Sequence, residues 1–288
     1  MQFAVNWILV TGAAAVAICV SMFILYAYLS HKTFQKPDNS PSDYLKCGIP
    51  GKRGKVVVCI GDSITHGRVS YNYVELLSSQ IKDKGYDVIN AGLNNELAYN
   101  ALRRIDDIVA CKPSHVTVLI GTNDVRARLS EKQAQWAQKK MKLPRRPDEA
   151  FFTSSLMTLC SDLKSRTQAK IGLLSLPPIG EDITHPAFGQ AVHYSRCIKN
   201  IALAQGVGYL PLNERMAHWL KSHGDLPGIS FDQLTIKMYA AVFQHFILNW
   251  SFSRISSQNG YCLLTDSVHL NDRAAEMICA LIREFIND

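Results

Sequence analysis

The chain has 288 residues, of which 47% are hydrophobic and 19% charged, and its formal net charge is +7. This length is enough for one globular domain that buries a full core without disulfides or metals, with residues left for an appendage. The basic residues are scattered except for a run over residues 139–146 that a proline interrupts. No nucleic-acid recognition motif accompanies that run, so we exclude nucleic acid as a partner.

The eight cysteines form no Cys-x-x-Cys pair. A structural zinc site is therefore not expected, and we predict no bound metal. Several cysteines lie inside apolar periodic segments, where a free thiol behaves as a small buried hydrophobe. This favours reduced thiols over a disulfide framework.

The N-terminal segment from Phe3 to Leu29 is almost entirely apolar and carries no formal charge. It is long enough to cross a bilayer as a helix, and Trp7, Tyr26 and Tyr28 fit the aromatic belts of the two interfaces. A cleaved signal peptide is the alternative, but it would need a basic start, a shorter apolar core and a small-residue cleavage site. We predict an uncleaved, single-pass transmembrane anchor over residues 1–30.

The basic residues nearest to this span all follow it and none precedes it: Lys32, Lys36, Lys46, Lys52, Arg53 and Lys55. The positive-inside rule then predicts that the rest of the chain lies on the cytoplasmic side of the membrane. Residues 31–54 are rich in proline and glycine, which is typical of a linker. The globular domain is predicted over residues 55–288.

Five short apolar runs predict buried strands, at residues 55–60, 86–89, 115–120, 170–175 and 208–212. Segments with helical spacing of apolar residues separate or follow them, at 71–84, 97–110, 149–165, 190–205 and 271–286. Strands that alternate with helices predict an α/β fold: a three-layer α/β/α sandwich around a mostly parallel sheet of about five strands.

Polar, glycine-bearing turns follow three of the predicted strands: Gly61-Asp62-Ser63, Asn90-Ala91-Gly92 and Gly121-Thr122-Asn123-Asp124. Ligands of parallel sheets bind just beyond the carboxyl ends of the strands. We therefore expect the three turns to meet in one crevice and to form a site.

The residue types in these turns suit acyl transfer. Ser63 enters a predicted helix, where its hydroxyl would be exposed as a nucleophile. The N–H of Ser63, the N–H of Gly92 and the side-chain amide of Asn123 are predicted to form an oxyanion hole. In Asp266-Ser267-Val268-His269, the carboxylate of Asp266 can orient His269 as the base.

Each of these pieces is weak alone, since a Gly-Asp-Ser turn is often an N-cap and an Asp-x-x-His pair is often a surface pair. His66 is a second candidate base, but it lacks an evident orienting carboxylate. The specific signal is the set of pieces in order along the chain.

At these residues the chain resembles the SGNH hydrolases, also called GDSL esterases and lipases. The four blocks begin at Gly61, Asn90, Gly121 and Asp266, and the loop Leu176–Glu181 is similar to one seen in esterase members. The resemblance implies a flavodoxin-like sandwich, the triad Ser63, Asp266 and His269, the oxyanion hole of Ser63, Gly92 and Asn123, and no cofactor. The run Asn94-Asn95-Glu96 departs from the family's glycine and threonine.

Residues 217–260 exceed what such a fold needs before its last block. Within them, residues 238–252 are apolar and aromatic and too short to cross a bilayer. They predict either a core-packed helix or a lid-like element that contacts lipid.

Three functions stay open at this point. The first is a serine hydrolase that cleaves acyl esters or lysophospholipid-like substrates, and the second is a carbohydrate O-acetylesterase. An apolar channel would favour the first and a small polar pocket the second. The third is a catalytically inactive, membrane-tethered binding protein, which would require a missing catalytic piece.

Overall fold

The computed structural model describes residues 2–47, 54–223 and 234–288. Five strands form one sheet: β1 (Lys55–Gly61), β2 (Tyr86–Gly92), β3 (His115–Leu119), β4 (Lys170–Leu174) and β5 (Gly208–Leu210). Their order across the sheet is β2-β1-β3-β4-β5, and every pair is parallel. This is the strand order of flavodoxin-like folds. The predicted α/β sandwich with a five-stranded parallel sheet is confirmed.

The helices between and beyond the strands are bounded as follows: α1 (Gln2–Phe34), α2 (Pro41–Lys46), α3 (Ser63–His66), α4 (Tyr73–Ile81), α5 (Ala98–Leu102), α6 (Ile105–Ala110), α7 (Thr122–Leu129), α8 (Glu131–Lys140), α9 (Glu149–Arg166), α10 (Pro186–Gln205), α11 (Leu212–Ser222), α12 (Leu234–Phe246), α13 (Phe252–Gln258) and α14 (Asp272–Asn287). Each of the five predicted helices has a counterpart. The helix predicted over 97–110 is interrupted and forms α5 and α6.

Two apolar layers cover the sheet, as the uninterrupted burial of the strands predicts. Alternate residues of β1 point to opposite faces, so that Val56 and Val58 join one layer and Val57 and Cys59 the other. Helices α5, α6, α9 and α10 contribute to the first layer. Helices α4, α11 and α14 contribute to the second, in which α14 buries a continuous apolar face.

Several helices lie where no helix is predicted from the sequence, among them α2, α7, α8 and α11. Helix α8 shows why, because its sequence is mostly polar and only Ala134 and Ala137 are buried. Small residues give a weak periodic signal in the sequence even when their side chains are buried against the rest of the domain. Of the basic run over 139–146, Lys139 and Lys140 belong to the end of α8 and not to a loop.

The predicted linker, residues 31–54, is not a free tether over the part that the structure describes. Helix α1 continues through Phe34, and α2 packs near β2 and α6. Asn39 forms two hydrogen bonds with the edge of β2. Its backbone oxygen accepts the N–H of Asn90 at 3.0 Å, and its side-chain amide donates to the Val88 oxygen at 3.1 Å. An edge strand offers unpaired backbone groups, and residues 37–46 cover part of this edge. The domain boundary at residue 55 stays a prediction, and residues 48–53 lie outside the described residues.

Candidate active site

Ser63 is the first residue of α3, immediately after β1. Asp62 forms the N-cap of this short helix, since its Oδ1 accepts the N–H of Ile64 at 3.0 Å. Gly67 ends the helix with a φ of 76°, a backbone conformation that glycine adopts without strain. Ser63 is 9% exposed, so its hydroxyl is reachable in an otherwise buried turn.

Ser63 and His269 meet although 206 residues separate them in sequence. The Oγ of Ser63 lies 2.9 Å from the Nε2 of His269. On the other side of the ring, Nδ1 of His269 lies 2.7 Å from Oδ2 of Asp266. If Nδ1 carries the proton, it donates to the carboxylate, and Nε2 is then free to accept the Ser63 hydroxyl proton. The structure thus brings together the three residues predicted to act as nucleophile, base and orienting acid.

Asp266 is held as a carboxylate by its neighbours. Burial alone would raise the pKa of Asp266, but the charge and hydrogen bonds of His269, together with the N–H of Val268, lower it below its usual value. The Oδ1 atom accepts the backbone N–H groups of Val268 and His269 at 3.1 and 2.9 Å. Oδ1 of Asp266 therefore stabilises the backbone turn, while Oδ2 orients the imidazole ring of His269.

The N–H of Gly92, predicted as an oxyanion donor, has a partner within the chain. It donates to Oδ1 of Asn90 at 2.9 Å. Residues 90–92 also belong to β2 and do not form a separate turn. A side chain at Gly92 would meet the backbone N of His66 at 2.2 Å. The missing side chain is thus explained by the close approach of α3 to β2, and the role of Gly92 as an oxyanion donor stays a prediction.

The loop after β2 carries backbone N–H groups that are free. Among the described residues, the N–H groups of Asn94 and Asn95 donate no hydrogen bond, and neither does that of Ser63. Asn95 has a φ of 67°, the left-handed conformation that favours glycine and that asparagine tolerates better than most residues. The departure Asn94-Asn95-Glu96 therefore keeps a glycine-type turn.

Asn123 lies against the same loop. Its side-chain amide donates to the backbone oxygen of Glu96 at 3.0 Å, and its Oδ1 accepts from Arg126 at 3.2 Å. Because a guanidinium only donates, the contact with Arg126 fixes which end of the amide is the oxygen. The second N–H of Asn123 has no partner within the described part of the chain, so it is available to a bound ligand.

The comparison with protein families identifies the family to which the chain belongs. A sequence model described as the GDSL-like lipase/acylhydrolase family matches residues 59–276. The chain belongs to this family. The GDSL-like family comprises lipases and acylhydrolases, and the predictions of the family and of a carboxylic-ester hydrolase are confirmed.

Solved structures with the same fold include two acetylxylan esterases. The enzyme Axe2 from Geobacillus stearothermophilus superposes with a TM-score of 0.56 at 18% identity, over 82% of this chain and 97% of that one. The acetyl xylan esterase AlAXEase superposes with a TM-score of 0.55 at 21% identity, over 80% of this chain and 98% of that one. At these identities the likeness shows the fold that this GDSL-like chain shares with them. A sequence search against curated proteins returns no match.

The loop that carries Asp266 and His269 in this GDSL-like chain is fixed by a buried carboxylate that the sequence left without a role. Glu181 accepts the N–H groups of Cys262, Leu263 and Leu264 at 2.7–2.8 Å. Gly180 donates its N–H to the oxygen of Ser267 at 2.8 Å. The loop Leu176–Glu181, noted for its resemblance to esterase members, thus supports the segment that holds Asp266 and His269.

Arg104, in the turn between α5 and α6, and Arg126, in α7, were also missed, since an arginine in such a position gives no sequence signal of its own. Arg104 forms an ion pair with Glu96 at 2.7 Å and donates to the Ala91 oxygen at 2.6 Å, which ties the loop after β2 to the strand. Arg126 orients Asn123, and its Nε is withdrawn from solvent with no hydrogen-bond partner among the described residues. Burial lowers the pKa of Arg126, which the charges of Asp266 and Asp62 partly offset.

Three other titratable groups near Ser63 are perturbed by burial. The pKa of His66 is lowered to about 4 by burial and by the charge of Arg68, so this ring is neutral at pH 7. Burial raises the pKa of Asp62 to about 6 and that of Asp124 to about 8. Asp124 accepts the N–H of Ala98 at 3.2 Å and so supports the start of α5.

One group within the described residues could hold a metal ion: Glu149, His193 and Cys197, whose ligand atoms all lie within 4.8 Å of one another. Glu149 and His193 are exposed and hydrogen-bond each other at 2.8 Å. These residues are not among those that contact Ser63, Asp266 or His269. All eight cysteines are free thiols.

Proposed function

We propose that this chain cleaves carboxylic esters through Ser63, His269 and Asp266, with a covalent acyl-enzyme intermediate. The observation that carries the proposal is the unbroken chain of hydrogen bonds from Ser63 Oγ to His269 Nε2 at 2.9 Å and from His269 Nδ1 to Asp266 Oδ2 at 2.7 Å. Nucleophile, base and orienting group are the parts that serine hydrolysis requires.

In the first half of the reaction, the Ser63 hydroxyl gives its proton to Nε2 of His269 as Oγ forms a bond to the ester carbonyl carbon. The tetrahedral intermediate collapses when the carbon–oxygen bond to the alcohol breaks, and His269 returns the proton to the leaving oxygen. Water then repeats the sequence on the acyl-enzyme, with His269 as base, and releases the acid and Ser63. Asp266 stays ionised throughout, which its lowered pKa supports.

The oxyanion hole in this proposal consists of the Ser63 N–H, the Asn123 side-chain amide and a backbone N–H of Asn94 or Asn95. All these donors are free among the described residues and belong to the loops at the carboxyl ends of β1, β2 and β3. Donors fixed before the reaction stabilise the developing negative charge without reorganisation, because the protein already holds them in place.

We further propose that α1 anchors the enzyme in a membrane. Its described part over Thr11–Phe34 has a mean hydropathy of 2.1 and is not buried in the protein. A signal sequence would share that composition, so the proposal rests also on the long uncharged run and the poor cleavage site. The excess of lysine and arginine after the span supports a globular domain on the cytoplasmic side.

Hydrolysis of a series of p-nitrophenyl esters from acetyl to palmitoyl tests the function and the acyl length together. We expect Ser63→Ala to abolish turnover of every ester while the circular dichroism spectrum stays unchanged. If the Ser63→Ala variant hydrolyses these esters at the wild-type rate, Ser63 is not the nucleophile. A steep preference for acetyl over longer chains would instead favour carbohydrate O-acetyl esters, the substrates that the acetylxylan esterases of similar fold are named for.

A further inference from the structure

The end of α1 docks beside the catalytic loops. The side chains of α1 are exposed from Thr11 to Tyr28, whereas Leu29, Ser30, Lys32 and Thr33 are half-buried, so contact with the globular domain begins where the apolar run stops. The side-chain amide of Asn94 donates to the Thr33 oxygen at 2.8 Å. Arg68, which follows α3, donates from its Nε to the Gln35 oxygen at 3.2 Å. The loops that flank Ser63 are therefore fixed at the end of the span.

Helix α12 also meets α1 and presents an apolar face to solvent. Ile236, Tyr239 and Phe243 are 73%, 71% and 38% exposed, and their spacing of three and four residues places them on one side of the helix. Ile247 and Leu248 extend this exposed face just beyond the helix. The sequence of α12 contains no acidic residue. An exposed apolar surface of this kind marks an interaction site.

The opposite side of α12 faces the site. Met238 packs against the apolar layer of the sheet, and its sulfur lies 3.9 Å from a terminal nitrogen of Arg126. Arg126 in turn donates to Asn123, a member of the proposed oxyanion hole. A core-packed helix would bury its large apolar side chains, whereas among the described side chains of α12 only Ala241 is buried. Helix α12 thus separates the neighbourhood of the site from an apolar outer surface.

We propose that Ile236, Tyr239 and Phe243 insert into the membrane interface beside α1, so that the active site takes its ester from the bilayer. The substrate class is then a lipid ester with a long acyl chain. Helix α12 contacts α1, and the described side chains of α1 are exposed from Thr11 to Tyr28 and first half-buried at Leu29. The contact therefore lies at the end that leaves the membrane, which puts the exposed face of α12 at the depth of the lipid head groups and upper acyl chains. This inference rests on the proposed hydrolase function and on α1 as the anchor.

The first test compares a substrate in the bilayer with a soluble one, using the full chain in phosphatidylcholine vesicles. The variant combines Ile236→Ser, Tyr239→Ser and Phe243→Ser. We expect hydrolysis of a long-chain monoacylglycerol in the vesicles to fall at least tenfold, and hydrolysis of p-nitrophenyl acetate to change less than twofold. Equal losses for both substrates, or no loss for the lipid, would overturn the inference.

A matched control is Leu203→Ser, because Leu203 is 72% exposed on α10, near the amino-terminal edge of the sheet and away from the site. This control should leave both rates unchanged. The acetate rate and its dependence on Ser63 report on the proposed function by themselves. A chain that hydrolyses neither ester would contradict that function, and one that hydrolyses only the acetate would contradict the membrane substrate.

The second test measures accessibility directly. Tyr239→Cys and Leu203→Cys variants in vesicles are treated with a membrane-impermeant maleimide, and labelling is read peptide by peptide by mass spectrometry. We expect residue 239 to be protected and residue 203 to be labelled, at every ratio of protein to lipid. Equal labelling of the two positions contradicts insertion. Protection that disappears when the protein is diluted in the membrane would identify a second copy of the chain as the occupant and would also overturn the proposal.

Discussion

The side-chain amide of Asn123 and the backbone oxygen of Glu96 are joined by a 3.0 Å hydrogen bond, which links the first turn of α7 to the loop after β2. One N–H of the amide is used in this link and the other is free. If that free N–H stabilises the oxyanion, Asn123→Ala should lower kcat by about 10²–10³-fold with little change in KM. Steady-state kinetics on p-nitrophenyl butyrate measure both constants. A rise in KM at constant kcat would show that Asn123 only binds substrate.

Asn95 tests the backbone of the same loop. Its φ of 67° favours glycine, so Asn95→Gly should keep at least half of the wild-type rate. Asn95→Val should lower the rate more than tenfold, because a β-branched residue in this conformation is strained and shifts the N–H donors. The melting temperature of each variant is measured beside its rate, so that loss of activity is separated from loss of folding. If the valine variant is fully active, the loop donors do not contribute to catalysis.

Gly92 provides a prediction about packing. A methyl group at this position meets the backbone of α3 at 2.2 Å, so Gly92→Ala should destabilise the protein by about 3 kcal/mol, the upper end for overpacked sites. Gly189 is the matched control, since a methyl group there meets nothing within 4 Å and the residue lies inside α10. Gly189→Ala should leave stability unchanged or raise it by about 0.5–1 kcal/mol. Urea unfolding measures the change in unfolding free energy of both variants. Equal changes in the two would refute close packing as the reason for glycine at residue 92.

Asp124 links stability to pH. Burial raises its pKa to about 8, whereas an unfolded aspartate titrates near 3.9. The folded state therefore keeps a proton that the unfolded state has lost, and this residue makes stability fall as the pH rises from about 4 to about 8. Asp124→Asn keeps an acceptor for the Ala98 N–H and removes the titration. The melting temperature of the variant relative to wild type should be higher at pH 8.5 than at pH 5. The same difference at both pH values would contradict the raised pKa.

The sequence predicted the sheet and the residues that meet at Ser63 because both leave local signals. The strands are continuous apolar runs that end at polar turns, and Asp266 precedes His269 by three residues. The helices α7 and α8 gave weaker signals, since surface helices with few large apolar residues have little periodicity. Their positions depend on packing between distant segments.

The surroundings of Gly92 could not be predicted, for a different reason. A glycine after a strand is compatible with a free N–H beside a ligand and with close packing of two backbones, and the sequence does not separate the two. The hydrogen bond from Gly92 to Asn90 and the proximity of His66 exist only in the folded chain. The contacts of Glu181 with residues 262–264 could likewise not be read from the sequence, because about 80 residues lie between the partners.

The most direct measurement of the central claim is labelling with a fluorophosphonate, which reacts with an activated serine hydroxyl. Peptide mapping of the labelled full chain should find the adduct on Ser63. Labelling should fall at least a hundredfold in His269→Ala and vanish in Ser63→Ala, while both variants keep the wild-type circular dichroism spectrum. An adduct on another serine, or unchanged labelling of Ser63 without the His269 imidazole, would contradict the proposed triad.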